Sequence, residues 1–166
     1  PKEHFEKMIT GIEIVDFIDA PIVQIYYNLV KMLVDKNNEK YYFKVKELLN
    51  NNSGNINHDD LSEIYINMQN FCRRRIAEGK QHFQREEFEI STRQLESKTY
   101  LVNGNMNSIF YRTRVSIGLK LNEHKWVKNF INDFKNDLQP EYRDSTFLYC
   151  SAQYEFYMKN YDKASE

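Results

Sequence analysis

The densest cationic stretch of the chain is CRRRIAEGKQHFQR, residues 72–85, where Arg73, Arg74, Arg75, Lys80 and Arg85 stand against the single Glu78. Guanidinium and ammonium groups at that density attract phosphate oxygens and acidic partners. Arg73, Arg74, Arg75 and Lys80 are therefore candidate anion contacts. A structural account is available beside the functional one. The three arginines fall in the last turn of a helical pattern, where the helix dipole favours cations. Three consecutive side chains also fan over most of a helix circumference, so they cannot all serve one groove.

Other chemistry finds less support. The four histidines, His4, His58, His82 and His124, have no second His or Cys at i+3 or i+4, the spacing that lets helical ligands converge on one metal ion. Glu86, Glu87 and Glu89 cluster in one segment. Catalytic carboxylates must face one another across a cleft in different environments, whereas these read as a solvated acidic face with partners such as Glu89 and Arg93. Neither a nucleophile elbow nor a phosphate loop nor a dinucleotide fingerprint occurs. With five glycines in 166 residues, phosphate-cradling loops are hard to build. The expectation is a non-catalytic protein without metal or cofactor. Cys72 and Cys150, 78 positions apart with no CxxC, read as small buried hydrophobes of a reducing, cytoplasmic setting.

The length allows a real core, and 41% hydrophobic with 14% aromatic residues supplies one. The net charge is −1, so a global nucleic-acid footprint is absent and any such role falls to the local arginine patch. The most apolar stretch, IVQIYYNLVKMLV at 22–34, is shorter than a membrane span and carries Gln24, Asn28 and Lys31.

The apolar spacing is helical nearly throughout. Phe5, Met8, Ile9, Ile12 and Val15 share a face of a segment over 4–18. Pro21 opens a second helix to about 35, apolar nearly all round, which predicts neighbours on several sides. A third, over 39–50, turns Tyr41, Val45, Leu48 and Leu49 inward. NNNSGN at 50–55 is a loop. Asp60-Leu61-Ser62-Glu63 resembles a capping box, followed by a stripe from Leu61 to Ile76. Gly79 marks a turn before a long helix to about Tyr100. Asn103-Gly104 marks another before helices over 107–121 and 125–137, and Pro140 leads into a last pair. No segment alternates long enough to predict a strand. The class is all-α.

A repeat organises the second half. LNEHKWVKN (121–129) lies over MKNYDKASE (158–166), so that Val127 falls on Ala164 and Val115 on Ala152, 37 residues apart. Helix pairs beginning near 21, 59, 107 and 141 give a looser period elsewhere, within the range of paired-helix solenoids. YEFYMKNYDKASE (154–166) resembles the middle of a tetratricopeptide repeat. Ala164 takes the small position early in the second helix of that repeat, Tyr161 the aromatic of the turn, and Pro140 the proline that follows a second helix. Ala152 and Leu148 stand where that family usually has Gly and Trp, and the 59–106 unit is longer than a standard repeat. The whole chain also resembles a group of bacterial proteins built of such degenerate repeats.

The resemblance implies a TPR-like, right-handed α–α solenoid of about nine helices. It implies a single segment over 1–166 cut from the interior of a longer chain, with 4–18 and DKASE each belonging to a second helix of a pair. It implies a scaffold for a protein or peptide, held along the inner surface of the first helices. At the groove-facing positions stand Thr146, Tyr149, Gln153 and Phe156, and 37 residues earlier Ile109, Arg112, Ser116 and Leu119. Tyr149 and Arg112 are the leading anchors, being residue types common at interfaces. The alternative is a nucleic-acid contact through Arg73–Arg75.

Overall fold

The computed structural model describes residues 20–164, and the helix expected over 4–18 lies outside the described residues. The described residues are helical apart from their turns and one two-stranded hairpin. They fall into two compact units, up to Arg75 and from Ile76 onward, where the sequence suggests one continuous segment.

The first unit holds α1 (Pro21–Val34), α2 (Lys40–Asn52) and most of α3 (His58–Ala77). Pro21 occupies the first turn of α1, where its missing N–H has no partner to lose. The cap of α3 lies three residues upstream of the place that the sequence suggests. Asn57 Oδ1 accepts from the Asp60 N–H at 2.9 Å, and Asn57 Nδ2 donates back to the Asp60 carboxylate. Asp60 is thus the third residue of the helix, and its other oxygen takes the Tyr26 hydroxyl proton at 2.6 Å, linking α1 to the start of α3. On α2 the inward residue is Tyr42 rather than Tyr41. Tyr42 is fully buried and stacks on Phe71 of α3 at 5.3 Å between centroids. Both choices fit a helical stripe with Val45 and Leu49. The partner ring, not the period, decides between them.

The second unit holds α4 (Phe83–Ser97), β1 (Leu101–Val102), β2 (Asn105–Met106), α5 (Ser108–Lys120), α6 (His124–Asp133), α7 (Arg143–Tyr157) and the short α8 (Tyr161–Ala164). The Asn103-Gly104 turn does more than end a helix. Both residues have positive φ, 52° and 77°, as a tight hairpin turn requires, and Leu101 pairs with Met106 across it. The strands are two residues each, too short for alternation to register in sequence. Asn107 then caps α5, accepting from the Ile109 N–H at 2.8 Å. Tyr111, Val115 and Leu119 of α5, Val127 and Phe130 of α6, and Cys150 of α7 form the centre of this unit's core. The Tyr111 hydroxyl donates to the Ile131 carbonyl at 2.6 Å, and burial pushes its acidity weaker than an ordinary phenol. Gly118 lets α6 approach closely. A Cβ there would meet Val127 Cγ2 at 2.5 Å.

The 37-residue spacing reappears in the backbone. Leu121 donates to Ile117 and Met158 to Tyr154. Asn122 donates to Leu119 and Lys159 to Phe156. Glu123 donates to Gly118 and Asn160 to Glu155. Val127 donates to Glu123 and Ala164 to Asn160. Each second bond is the first moved by 37 residues. Asn122 and Lys159 both take the left-handed conformation, with φ of 61° and 63°. Their neighbours' bonds across the helix end form the Schellman pattern. The turn after α5 and the turn after α7 are one structure built twice.

Candidate interaction groove on α5 and α7

α5 and α7 lie side by side and parallel. Two contacts between residues 37 apart establish this. Arg112 holds its guanidinium over the Tyr149 ring, 4.4 Å from the centroid, and one turn further Gln153 Nε2 donates to the Ser116 hydroxyl at 3.2 Å. Equivalent positions of successive helices meet, and in the same direction along both.

Ile109, Arg112, Thr113, Ser116 and Tyr149 line an open groove of about 360 Å³. Ile109 is 71% exposed and Tyr149 51%, so apolar and aromatic surface faces solvent around one cation. The five residues include no carboxylate. Cys150 lies buried beneath, its thiol pushed up to about 12 by burial, with the positive charge of Arg112 pulling the other way. It is a core residue and not a nucleophile.

Of the residues marked in the sequence, Ile109, Arg112, Ser116 and Tyr149 are therefore brought together, with Gln153 at the edge. Thr146 and Leu119 are not available. Both are buried, because α7 turns Thr146 and Cys150 inward while Leu119 joins the core. Phe156 is exposed but does not line the groove. Its ring meets Tyr161 edge-on at 5.6 Å. Thr113, which no sequence pattern singled out, completes the groove one turn from Ile109, whose carbonyl takes its hydroxyl proton.

The cationic patch is dispersed. Arg75 is 3% exposed and paired with Glu39 at 2.6 Å, so it is not an anion contact for a partner. The burial of Phe71 beside it explains why: the guanidinium lies over that ring, as does that of Arg74. Arg74 also reaches the Lys36 carbonyl at 3.5 Å. Arg73 and Lys80 are exposed on the surface. Glu87 departs from the solvated acidic face as well. It is buried with Ser91 and Gln94 on the same face of α4, 3.8 Å from the fully buried Arg114. Glu86 and Glu89 stay at the surface side of that helix.

No group of His, Cys, Asp and Glu among the described residues could hold a metal ion, and no described helix is long and apolar enough to cross a membrane. Comparison with family models, curated proteins and solved structures finds no match.

Proposed function

We propose that this chain is a non-catalytic helical-repeat scaffold, a TPR-like α–α solenoid that binds a protein or peptide partner in the groove between α5 and α7. The observation that carries the reading is the meeting of Arg112 and Tyr149, 37 residues apart and 4.4 Å from guanidinium to ring centroid. Parallel stacking of repeat-related helices produces such contacts and leaves an extended surface along them. Ile109, Tyr149 and the methyl of Thr113 offer apolar contact, and Arg112 offers five N–H donors to carbonyl or carboxylate groups of a chain lying across them. Tyrosine and arginine are the side chains that interfaces favour as anchors. Replacing both removes surface rather than core, so the fold should persist.

The test is a pull-down from host lysate with and without nuclease, run in parallel with the Arg112→Ala/Tyr149→Ala double variant. A protein captured by the native chain, resistant to nuclease and lost with the variant at unchanged helicity by circular dichroism, supports the groove. Equal capture by both refutes it. Capture abolished by nuclease would return the weight to Arg73, Arg74 and Lys80, with a binding slope of about one unit in log salt per phosphate contacted.

A further inference from the structure

We infer that a second copy of this chain packs on the outer face of α7, helix against helix and antiparallel, with Ala152 at the crossing. The inference stands apart from the groove and does not depend on its occupant. α7 turns Thr146 and Cys150 inward, yet its opposite face is not polar. Leu148 is 62% exposed and Phe156 61%, and they stand one turn either side of Ala152. Tyr157, Met158 and Tyr161 extend the surface at 45%, 39% and 58%.

The repeat shows what this fold does with such positions. Thirty-seven residues before Leu148 and Phe156 stand Tyr111 and Leu119, at 0% and 1% exposure. α7 contributes to the core that covers them. The same two places on α5 receive a helix, and on α7 they face solvent.

Size and symmetry favour a second copy as the occupant. With aromatic side chains presenting 150–250 Å² each, the exposed parts of these residues and Tyr149 come to roughly 600 Å². That is the upper end of what one monomer shows in a single patch, and approaches the ~800 Å² per partner of a standard interface. A two-fold axis at Ala152 is self-complementary. Leu148 meets the second copy's Phe156 position and Tyr149 meets its Glu155 position, with no like charges opposed along α7. Ala152 is the small residue that allows the helix axes to approach.

The measurement is sedimentation equilibrium of the full chain across roughly 1–200 μM. The expected species has twice the mass of one 20.1 kDa chain. Leu148→Glu, Phe156→Glu and the bulky Ala152→Trp should each weaken the dimer Kd by roughly a hundredfold or more, because each change enters the interface twice. Ile66→Glu, a charge placed on another exposed apolar residue of the fold, should leave the dimer intact. A monomer throughout the range overturns the inference. So does a dimer that survives Leu148→Glu and Phe156→Glu at native helicity, or one that Ile66→Glu disperses equally.

Discussion

Replacing Gly118 by alanine should destabilise the chain, against the usual sign for this change. Alanine in a helix interior is ordinarily favoured over glycine by about 1 kcal/mol. At Gly118 the added Cβ would stand 2.5 Å from Val127 Cγ2 and 3.4 Å from the Trp126 ring. Val127 is fully buried, and its branched Cβ leaves it little rotamer freedom. It cannot swing aside, so α5 and α6 must separate. Overpacking of this kind costs about 2–3 kcal/mol, leaving a net loss of about 1–2 kcal/mol. For a unit of this size that lowers Tm by roughly 5–10 °C. Val127→Ala alone should cost about 2 kcal/mol through the cavity it leaves. In the double variant that cavity admits the new methyl, and the total should be only about 1–2 kcal/mol. The coupling is then of the order of 2 kcal/mol, well above the ~0.5 kcal/mol within which independent changes add. Urea unfolding of the three variants, followed by far-ultraviolet circular dichroism, measures each quantity. A Gly118→Ala chain more stable than the native one, or costs that simply add, would refute the close-approach argument.

Glu39→Ala strands the Arg75 guanidinium, which is 3% exposed, and should cost about 2–4 kcal/mol. Arg75→Met leaves a carboxylate that can rehydrate and should cost less, about 1–2 kcal/mol. The reverse order in urea titrations would contradict the burial. With the Cys150 thiol pushed up to about 12 in the folded chain, the folded state holds its proton where the unfolded thiol has lost it. Cys150's contribution to stability is full below about pH 8.5 and falls as pH rises from there towards 12. Native protein at pH 8 should accordingly show no fast-reacting thiol towards a disulfide reagent, and one rapid equivalent would place a cysteine at the surface. Lys98 and Lys159 hold left-handed φ of 56° and 63°, so Lys98→Gly and Lys159→Gly should each stabilise by about 0.5–1 kcal/mol. A lower Tm in both would show the side chains contributing more than their strain costs.

The helices and the 37-residue register were legible because both rest on local signals, namely apolar periodicity and a turn sequence that occurs twice. What the sequence left undecided were choices made by partners distant in the chain. Tyr42 over Tyr41 is decided by Phe71, and nothing near α2 in sequence announces that ring. Asn57 rather than Asp60 caps α3 because both residue types cap well, and the Tyr26 hydroxyl is an additional partner for the carboxylate already inside the helix. Glu87 reads as solvent-facing beside Glu86 and Glu89 until Arg114 is seen behind it, and a charge whose partner lies on another helix leaves no mark at i+3 or i+4. The groove divides similarly. Arg112, Ser116, Ile109 and Tyr149 follow from the repeat register alone. Thr146 fails because the inward turn of α7 at Cys150 takes its neighbour one turn away with it.

The paired turns at Asn122 and Lys159 have a consequence for how a gene of this kind can change in length. A duplication or loss of 37 codons between equivalent points of the two turns moves every turn bond onto its counterpart and returns Arg112-type and Tyr149-type positions to the same side. An insertion of any other size within α6 or the Pro140 turn rotates α7 about its axis by about 100° per residue and carries Cys150 out of the core. Length variation by whole units is therefore the one kind of large change that this part of the chain absorbs without rebuilding its interior.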